Sequence, residues 1–272
     1  MILFPNCKIN LGLRVTAKRE DGYHDLETVM IPVKGLCDAL EILPAGKGGC
    51  VFSTSGLALD SPAEKNLCVG AYRLMHERYG IGGVKMHLHK HIPFEAGLGG
   101  GSSDAVFALK MLNETFALNL PDTELESLAG ELGSDTVFFV KNRPMLAQGR
   151  GEILTPVELD VKRYYIVIVK PPFGVSTAEA YAGIVPSNPT IPLVKILSGS
   201  MYEWKDQLKN DFEGTVFQRY PEIAEVKQRL YACGAVYASM SGSGSAVFGL
   251  FEDEPEKVQF PGTYFVYSAP ML

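Results

Sequence analysis

Gly97-Leu98-Gly99-Gly100-Gly101-Ser102-Ser103-Asp104-Ala105 runs straight into a helical pattern in which Ala105, Ala108, Leu109 and Leu112 share one face. Glycine lets the backbone turn and approach a ligand closely. A helix N-terminus offers unpaired N–H groups and a partial positive charge, and the two serines add donors. The stretch therefore predicts a phosphate cradle. A flexible linker would share its composition, but a linker need not lie between an alternating apolar strand (Val84, Met86, Leu88, Ile92) closed by Pro93 and an apolar helix. Two common phosphate sites fail on pattern: no Gly-Lys-Ser/Thr ending follows, and no acidic residue is placed to hold a ribose.

A chain of 272 residues with 46% hydrophobic content can bury a core in one large or two modest domains. Its formal charge of -6 argues against a sequence-independent grip on nucleic acid, which needs a basic face. The five cysteines are scattered and form no Cys-x-x-Cys pair, so neither a disulfide framework nor a zinc ribbon is expected. Met1 leads within a few residues into a strand, with no charged leader ahead of it, and no long uncharged apolar run suggests a membrane span. A soluble protein of a reducing cytoplasm is expected.

Ile9, Leu11, Leu13 and Val15 alternate with Lys8, Asn10, Gly12 and Arg14, which predicts a strand; Glu27 to Val33 reads as a second. A helix is expected from about Pro62, with Leu67, Gly70, Ala71 and Leu74 inward. Another carries Leu125, Leu128, Ala129 and Leu132 and stops at Gly133. Tyr164 to Val169 reads as a strand, Ser176-Thr177-Ala178-Glu179 as a capping box, and Ser241 to Ser245 as a turn between two apolar stretches. A boundary near residue 150 divides the chain into expected domains 1–150 and 151–272.

Lys8 and Asn10 project together from the first strand; a solvated sheet face would show the same pattern. Asp135 in Gly133-Ser134-Asp135 precedes the apolar stretch Val137 to Val140 and could simply cap a helix. A kinase, however, needs a carboxylate for the hydroxyl proton and a cation near the transferred phosphoryl, and Asp135 and Lys8 supply both. Tyr23 and His24 follow a turn at Asp21-Gly22, where a ring can stack on a base, although such pairs also occur as ordinary surface residues. His87, His89 and His91 share a strand face but spread over about 13 Å, so they read as a half-exposed face rather than a metal site.

Taken together these residues resemble the GHMP kinase superfamily. The resemblance rests on Pro5 to Leu13, Pro93 to Ala105 and Ser241-Gly242-Ser243-Gly244, spread over the whole chain. Lys8-Ile9-Asn10-Leu11-Gly12-Leu13, Asp21-Gly22-Tyr23-His24, Lys65-Asn66-Leu67 and Gly133-Ser134-Asp135 narrow it to the branch acting on a methylerythritol that carries a cytidine diphosphate. The resemblance implies an α+β fold of two lobes, with mixed sheets, helices packed on them and the active site in the cleft between. It implies ATP-dependent phosphorylation of the 2-hydroxyl in the non-mevalonate route to isoprenoids.

On that resemblance Asp135 is the base, Lys8 its electrostatic partner, and Asn10 holds substrate beside them. Tyr23 stacks on cytosine, His24 bonds its edge, and Thr177 and Tyr181 close the pocket. Pro93, Phe94, Glu95, Ala96, Gly97, Leu98, Gly99, Gly100, Gly101, Ser102 and Ser103 wrap the ATP phosphates, with Asn66 and Lys90 nearer the adenosine. Magnesium is expected with ATP, with no protein ligand singled out. The implied partner is a small molecule, not nucleic acid or a membrane; oligomeric state stays open. Two departures stand out: Asn6-Cys7 where the family commonly has alanine before the lysine, and Thr136-Val137 where Val-Pro is usual. A homoserine or mevalonate kinase would not need the aromatic base pocket. A non-catalytic nucleotide-binding module would not need Lys8 and Asp135.

Overall fold

The computed structural model describes residues 1–46, 48–58, 62–187, 189–256 and 258–271. In chain order its strands are β1 (Ile2–Leu3), β2 (Asn6–Lys18), β3 (His24–Cys37), β4 (Ala39–Pro44), β5 (Cys50–Gly56), β6 (Val84–Lys90), β7 (Met145–Gly149), β8 (Ile153–Pro156), β9 (Tyr165–Lys170), β10 (Tyr237–Met240), β11 (Val247–Phe251) and β12 (Phe265–Pro270). The helices are α1 (Leu67–Tyr79), α2 (Gly100–Thr115), α3 (Asp122–Leu132), α4 (Phe138–Lys141), α5 (Thr177–Tyr181), α6 (Leu193–Leu197), α7 (Met201–Gln207), α8 (Phe212–Arg219) and α9 (Pro221–Ala232). The fold is mixed α+β.

Two compact units interleave along the chain rather than dividing at residue 150. The first comprises Met1–Cys7, Leu36–Pro93 and Gly99–Asn142; the second comprises Lys8–Gly35, Phe94–Leu98 and Arg143–Leu272. The physical reason is strand pairing: β2 and β3 share a sheet of order β2-β3-β7-β8, which ties the N-terminal strands to residues beyond 143.

In the first unit the sheet has the order β1-β4-β6-β5, with β5 and β6 parallel and the other pairs antiparallel. Val84, Met86 and Leu88 of β6 are buried, while His87 and His89 turn outward and bond Ser53 and Ser55 of β5. Among the described residues no group of three or more His, Cys, Asp or Glu is arranged to hold a metal. Helix α2 packs on α1, α3 and β4, and buries Ala105, Ala108, Leu109 and Leu112 as its periodicity predicts. Helix α1 departs from expectation. It starts at Leu67, after a 3-10 turn at Ala63–Lys65, and buries Cys68, Ala71, Tyr72 and Met75. Tyr72 and Met75 offer more apolar surface than Gly70 and Leu74, and they decide which side faces in.

The second unit holds β2-β3-β7-β8 and a sheet of order β10-β11-β9-β12, whose strand pairs are antiparallel. Val167, Val169, Val247, Phe212, Ile223 and Leu230 belong to one core cluster that also includes Leu13 and Val15 of β2. The capping box predicted at Ser176 is present and opens α5.

Strand β2 is buried on both faces, contrary to the solvated reading of its polar side: Lys8, Asn10 and Arg14 are 2%, 3% and 9% exposed. A buried polar row needs partners. The segment before α8 supplies the strand's clamp. The Leu13 amide donates to the Lys209 carbonyl, the Asp211 amide donates back to Leu13, and Asp211 Oδ2 accepts from the Val15 amide. Asn210 donates to the Met240 and Gly242 carbonyls at 2.8 Å each, while its Oδ1 accepts from the Phe212 amide at 3.0 Å. Asn210→Ala removes all three bonds and leaves two buried carbonyls short of a donor. A loss of about 2–4 kcal/mol is expected, read as a lower urea midpoint at unchanged m-value.

Candidate active site

The loop Phe94–Leu98 spends its carbonyls on the protein. Those of Glu95 and Ala96 accept the Ser245 and Ala246 amides, Leu98 accepts the Lys8 amide at 2.9 Å, and Gly97 accepts Lys8 Nζ and Ser241 Oγ at 2.9 Å each. Carbonyl oxygens repel phosphate. With the carbonyls of residues 95–98 committed, the backbone groups those four residues have left are N–H donors, the type an anion needs. Gly97 has no alternative, because its φ is +70° and a Cβ would lie 1.9 Å from the Ser241 carbonyl oxygen.

Lys8 is the centre of this cluster in the second unit. Its ammonium donates to Asn10 Oδ1 at 2.6 Å as well as to Gly97, and the Asn10 amide donates to Thr28 Oγ1 at 3.1 Å. Thr28 in turn donates to the Gly12 carbonyl at 2.5 Å. Asn10, expected to hold substrate, thus orients Lys8. Ser241, which carried no assigned role, shares the Gly97 carbonyl with Lys8 and lies 3.5 Å from Asn10 Oδ1.

In the first unit, Gly99 precedes α2 with φ +69°, and the Ser103 amide closes the first helical bond onto its carbonyl at 2.9 Å. The preceding amides, those of Gly100, Gly101 and Ser102, have no intrahelical acceptor. Gly100 packs hard against the chain, since a Cβ would meet Ile92 at 2.9 Å, whereas a Cβ on Gly101 would meet nothing within 4 Å. Nothing in the protein requires glycine at 101. Alanine there would favour the helix by up to about 1 kcal/mol, so the free space points to a ligand that comes close. The Ser103 hydroxyl, fully buried and without a partner, fits the same reading.

Two residues expected near the adenosine have partners within the first unit. Lys90, on the inward side of β6, has its ammonium hydrogen-bonded to Asp38 and 2.8 Å from Asp104 Oδ2, with only 1% of its side chain exposed. Its charge is committed to those two acids and does not reach out to a nucleotide. Asn66 is the N-cap of α1, and its Oδ1 accepts the Cys68 amide at 2.9 Å. Asp135 lies in the first unit, half-buried in the 3-10 turn Ser134–Thr136.

The aromatic residues of the second unit gather as expected only in part. His24 stacks on Tyr181 at 4.8 Å, and Tyr181 meets Phe212 edge-on at 4.7 Å. Tyr23 is 58% exposed, with the Arg150 guanidinium 5.1 Å from its ring centre. Thr177 opens α5 one turn before Tyr181 and is exposed. Asn210, Asp38 and Asp104 were not anticipated. Asn210-Asp211 ahead of an apolar helix, and an in-phase lysine on a core strand, were the signals available.

Comparison with known proteins bears on this arrangement directly. Residues 66–143 match the GHMP kinases N terminal domain and residues 193–260 match the GHMP kinases C terminal domain. A Bacteroides fragilis protein named 4-diphosphocytidyl-2-C-methyl-D-erythritol kinase is 52% identical over 260 residues, spanning 95% of this chain and 94% of that protein. The chain belongs to the GHMP kinases. A Bacteroides thetaiotaomicron GHMP kinase of the same name is 51% identical, with 93% of each chain covered. A crystal structure of a 4-(cytidine 5'-diphospho)-2C-methyl-D-erythritol kinase superposes with TM-score 0.80 at 37% identity, covering 93% of this chain and 91% of the other. The Methanococcus jannaschii mevalonate kinase, at TM-score 0.71 and 15% identity over 100% of this chain and 98% of its own, shares the GHMP fold. Membership brings ATP use with it, consistent with the uncrowded Gly101.

Gly101→Ala separates the protein's needs from the ligand's. Thermal melts should show stability kept or raised, by up to about 1 kcal/mol, while calorimetry should show weakened ATP binding. Gly97→Ala, by contrast, should lose both.

Proposed function

We propose that this chain transfers the γ-phosphoryl group of ATP to the 2-hydroxyl of 4-diphosphocytidyl-2-C-methyl-D-erythritol, a step of isoprenoid precursor biosynthesis by the non-mevalonate route. The observation that carries the proposal is the near-full-length identity to kinases of that name, over half of the aligned residues. The five cysteines are scattered and form no Cys-x-x-Cys pair, which supports a reducing cytoplasm as the setting.

ATP supplies the phosphoryl group, and magnesium arriving on its phosphates offsets their charge. The amides of α2's first turn and of the loop at 94–98 hold the phosphates. Asp135 accepts the proton of the substrate hydroxyl. An aliphatic alcohol is a far weaker acid than a carboxylic acid, so the proton moves late, as the loose transition state places charge on the attacking oxygen. Lys8 steadies that charge with an ammonium already fixed by Asn10 and Gly97. Tyr23 offers an exposed ring face to cytosine, and His24, set by its stack on Tyr181, bonds the base edge. Thr177 lies on the same helix as Tyr181 and closes that side.

A coupled assay of ADP release should show turnover with the cytidylyl-methylerythritol substrate and none with homoserine or mevalonate, and CMP or CDP should raise the melting temperature. Asp135→Asn and Lys8→Ala should each lower kcat by about 10²–10⁴-fold while ATP still binds. Preferred turnover of homoserine or mevalonate, or ATP binding with no ADP release on any alcohol, would refute the assignment.

A further inference from the structure

Lys90, Asp38 and Asp104 make a sealed cluster in the first unit, with 1%, 0% and 3% of their side chains exposed. Asp38 is fully employed: Oδ2 accepts from Lys90, and Oδ1 accepts the His91 and Ile92 amides at 2.6 and 2.8 Å. Asp104 is not. Its Oδ2 accepts from Lys90 at 2.8 Å, and its Oδ1 is buried without a partner.

Two carboxyls and one ammonium balance only if the acids keep one proton between them. Burial pushes the Asp104 carboxyl up, Lys90 pulls it back and Asp38 raises it again, leaving it at about 8. For Lys90 burial works downward, and the two acids outweigh it. Among the described residues two thiols also face the cluster: Cys68 of α1, pushed well up by burial, and Cys37 of β3, raised by burial and by Asp38. His91 contributes its backbone amide.

Asp104 directly follows Ser103, in the turn that opens α2. A net negative charge there would cancel the partial positive charge with which a helix start attracts phosphate. We propose that Lys90, Asp38 and Asp104 act as one positioning group for the nucleotide, fastening α2's first turn to the end of β6 and keeping it free of net negative charge. Lys90 thereby acts on bound phosphate through the turn, without touching adenosine. The inference rests on the reading that α2's N-terminus receives ATP.

The sign follows from the shared proton. As pH rises through about 8 the cluster gains a negative charge and anion affinity falls. Folding reports the same proton differently. The acid is raised from 3.8 to about 8, so the folded chain binds the extra proton between those values. Asp104 costs stability increasingly across that window, and the slope ends near its upper limit.

ADP binding by calorimetry from pH 7 to 9, with thermal melts from pH 5 to 9, on wild type and Asp104→Asn, tests this. The asparagine keeps the shape of the protonated acid and stays neutral across the range. Wild-type affinity for ADP should fall about three- to tenfold across the range and affinity for adenosine should not. Asp104→Asn should bind ADP without that step, and wild type should lose melting temperature relative to it up to about pH 8. An undiminished step in Asp104→Asn, or no step in wild type, overturns this inference alone. No ADP binding by wild type at any pH overturns the nucleotide reading, and this inference with it.

Discussion

An ammonium shut away from water must be met by acceptors whose own positions are fixed, and Lys8 imposes that requirement on a strand, a loop and a turn at once. Its Nζ is satisfied by Asn10 and by the carbonyl of Gly97, which is also bonded by Ser241. Each acceptor is itself secured. Asn10 is tied to Thr28, and the carbonyls of Met240 and Gly242, flanking Ser241, receive the Asn210 amide. Removing the partner of a buried charge costs roughly 3–5 kcal/mol, more than a surface contact could offset. Lys8 and the fold around it are therefore coupled.

How much of this could be read in the sequence follows from the range of each interaction. Helices α2 and α3, strand β6 and the capping box of α5 depend on neighbours a few residues away, and periodicity located them. The polar side of β2 could be read two ways in the sequence, because alternation looks the same whether the polar row faces water or buried partners. Its partners lie 89 residues away at Gly97 and 231 away at Ser241, beyond the reach of any local pattern. Lys90 shows the opposite case. It is in phase with Val84, Met86 and Leu88, so its place on the core side was legible, and a buried lysine implies acids nearby. The family resemblance drew attention to the nucleotide and away from that simpler inference.

The glycine run illustrates how one composition hides several constraints. Gly97 answers to a carbonyl of its own unit, Gly100 to the Ile92 side chain, and Gly101 to nothing within the chain. A sequence shows three equivalent residues. Only the space around each Cβ separates the glycines that build the loop from Gly101, which is exposed and leaves its surroundings open.

The turn carrying Asp135 makes a related point about substitutions. Thr136-Val137 stands where the family commonly has Val-Pro. Thr136 has a fastening role: its buried hydroxyl donates to the Ala129 carbonyl at 2.5 Å, which also accepts the Gly133 amide, and is shared with the Gly133 carbonyl at the end of α3. Its methyl lies where Gly133 leaves space, 3.5 Å from the site of a Cβ. Proline would stiffen such a turn through its fixed φ, whereas threonine holds it by satisfying carbonyls that need a donor. The two solutions use different atoms for the same end, which is to hold the backbone of the turn that carries Asp135.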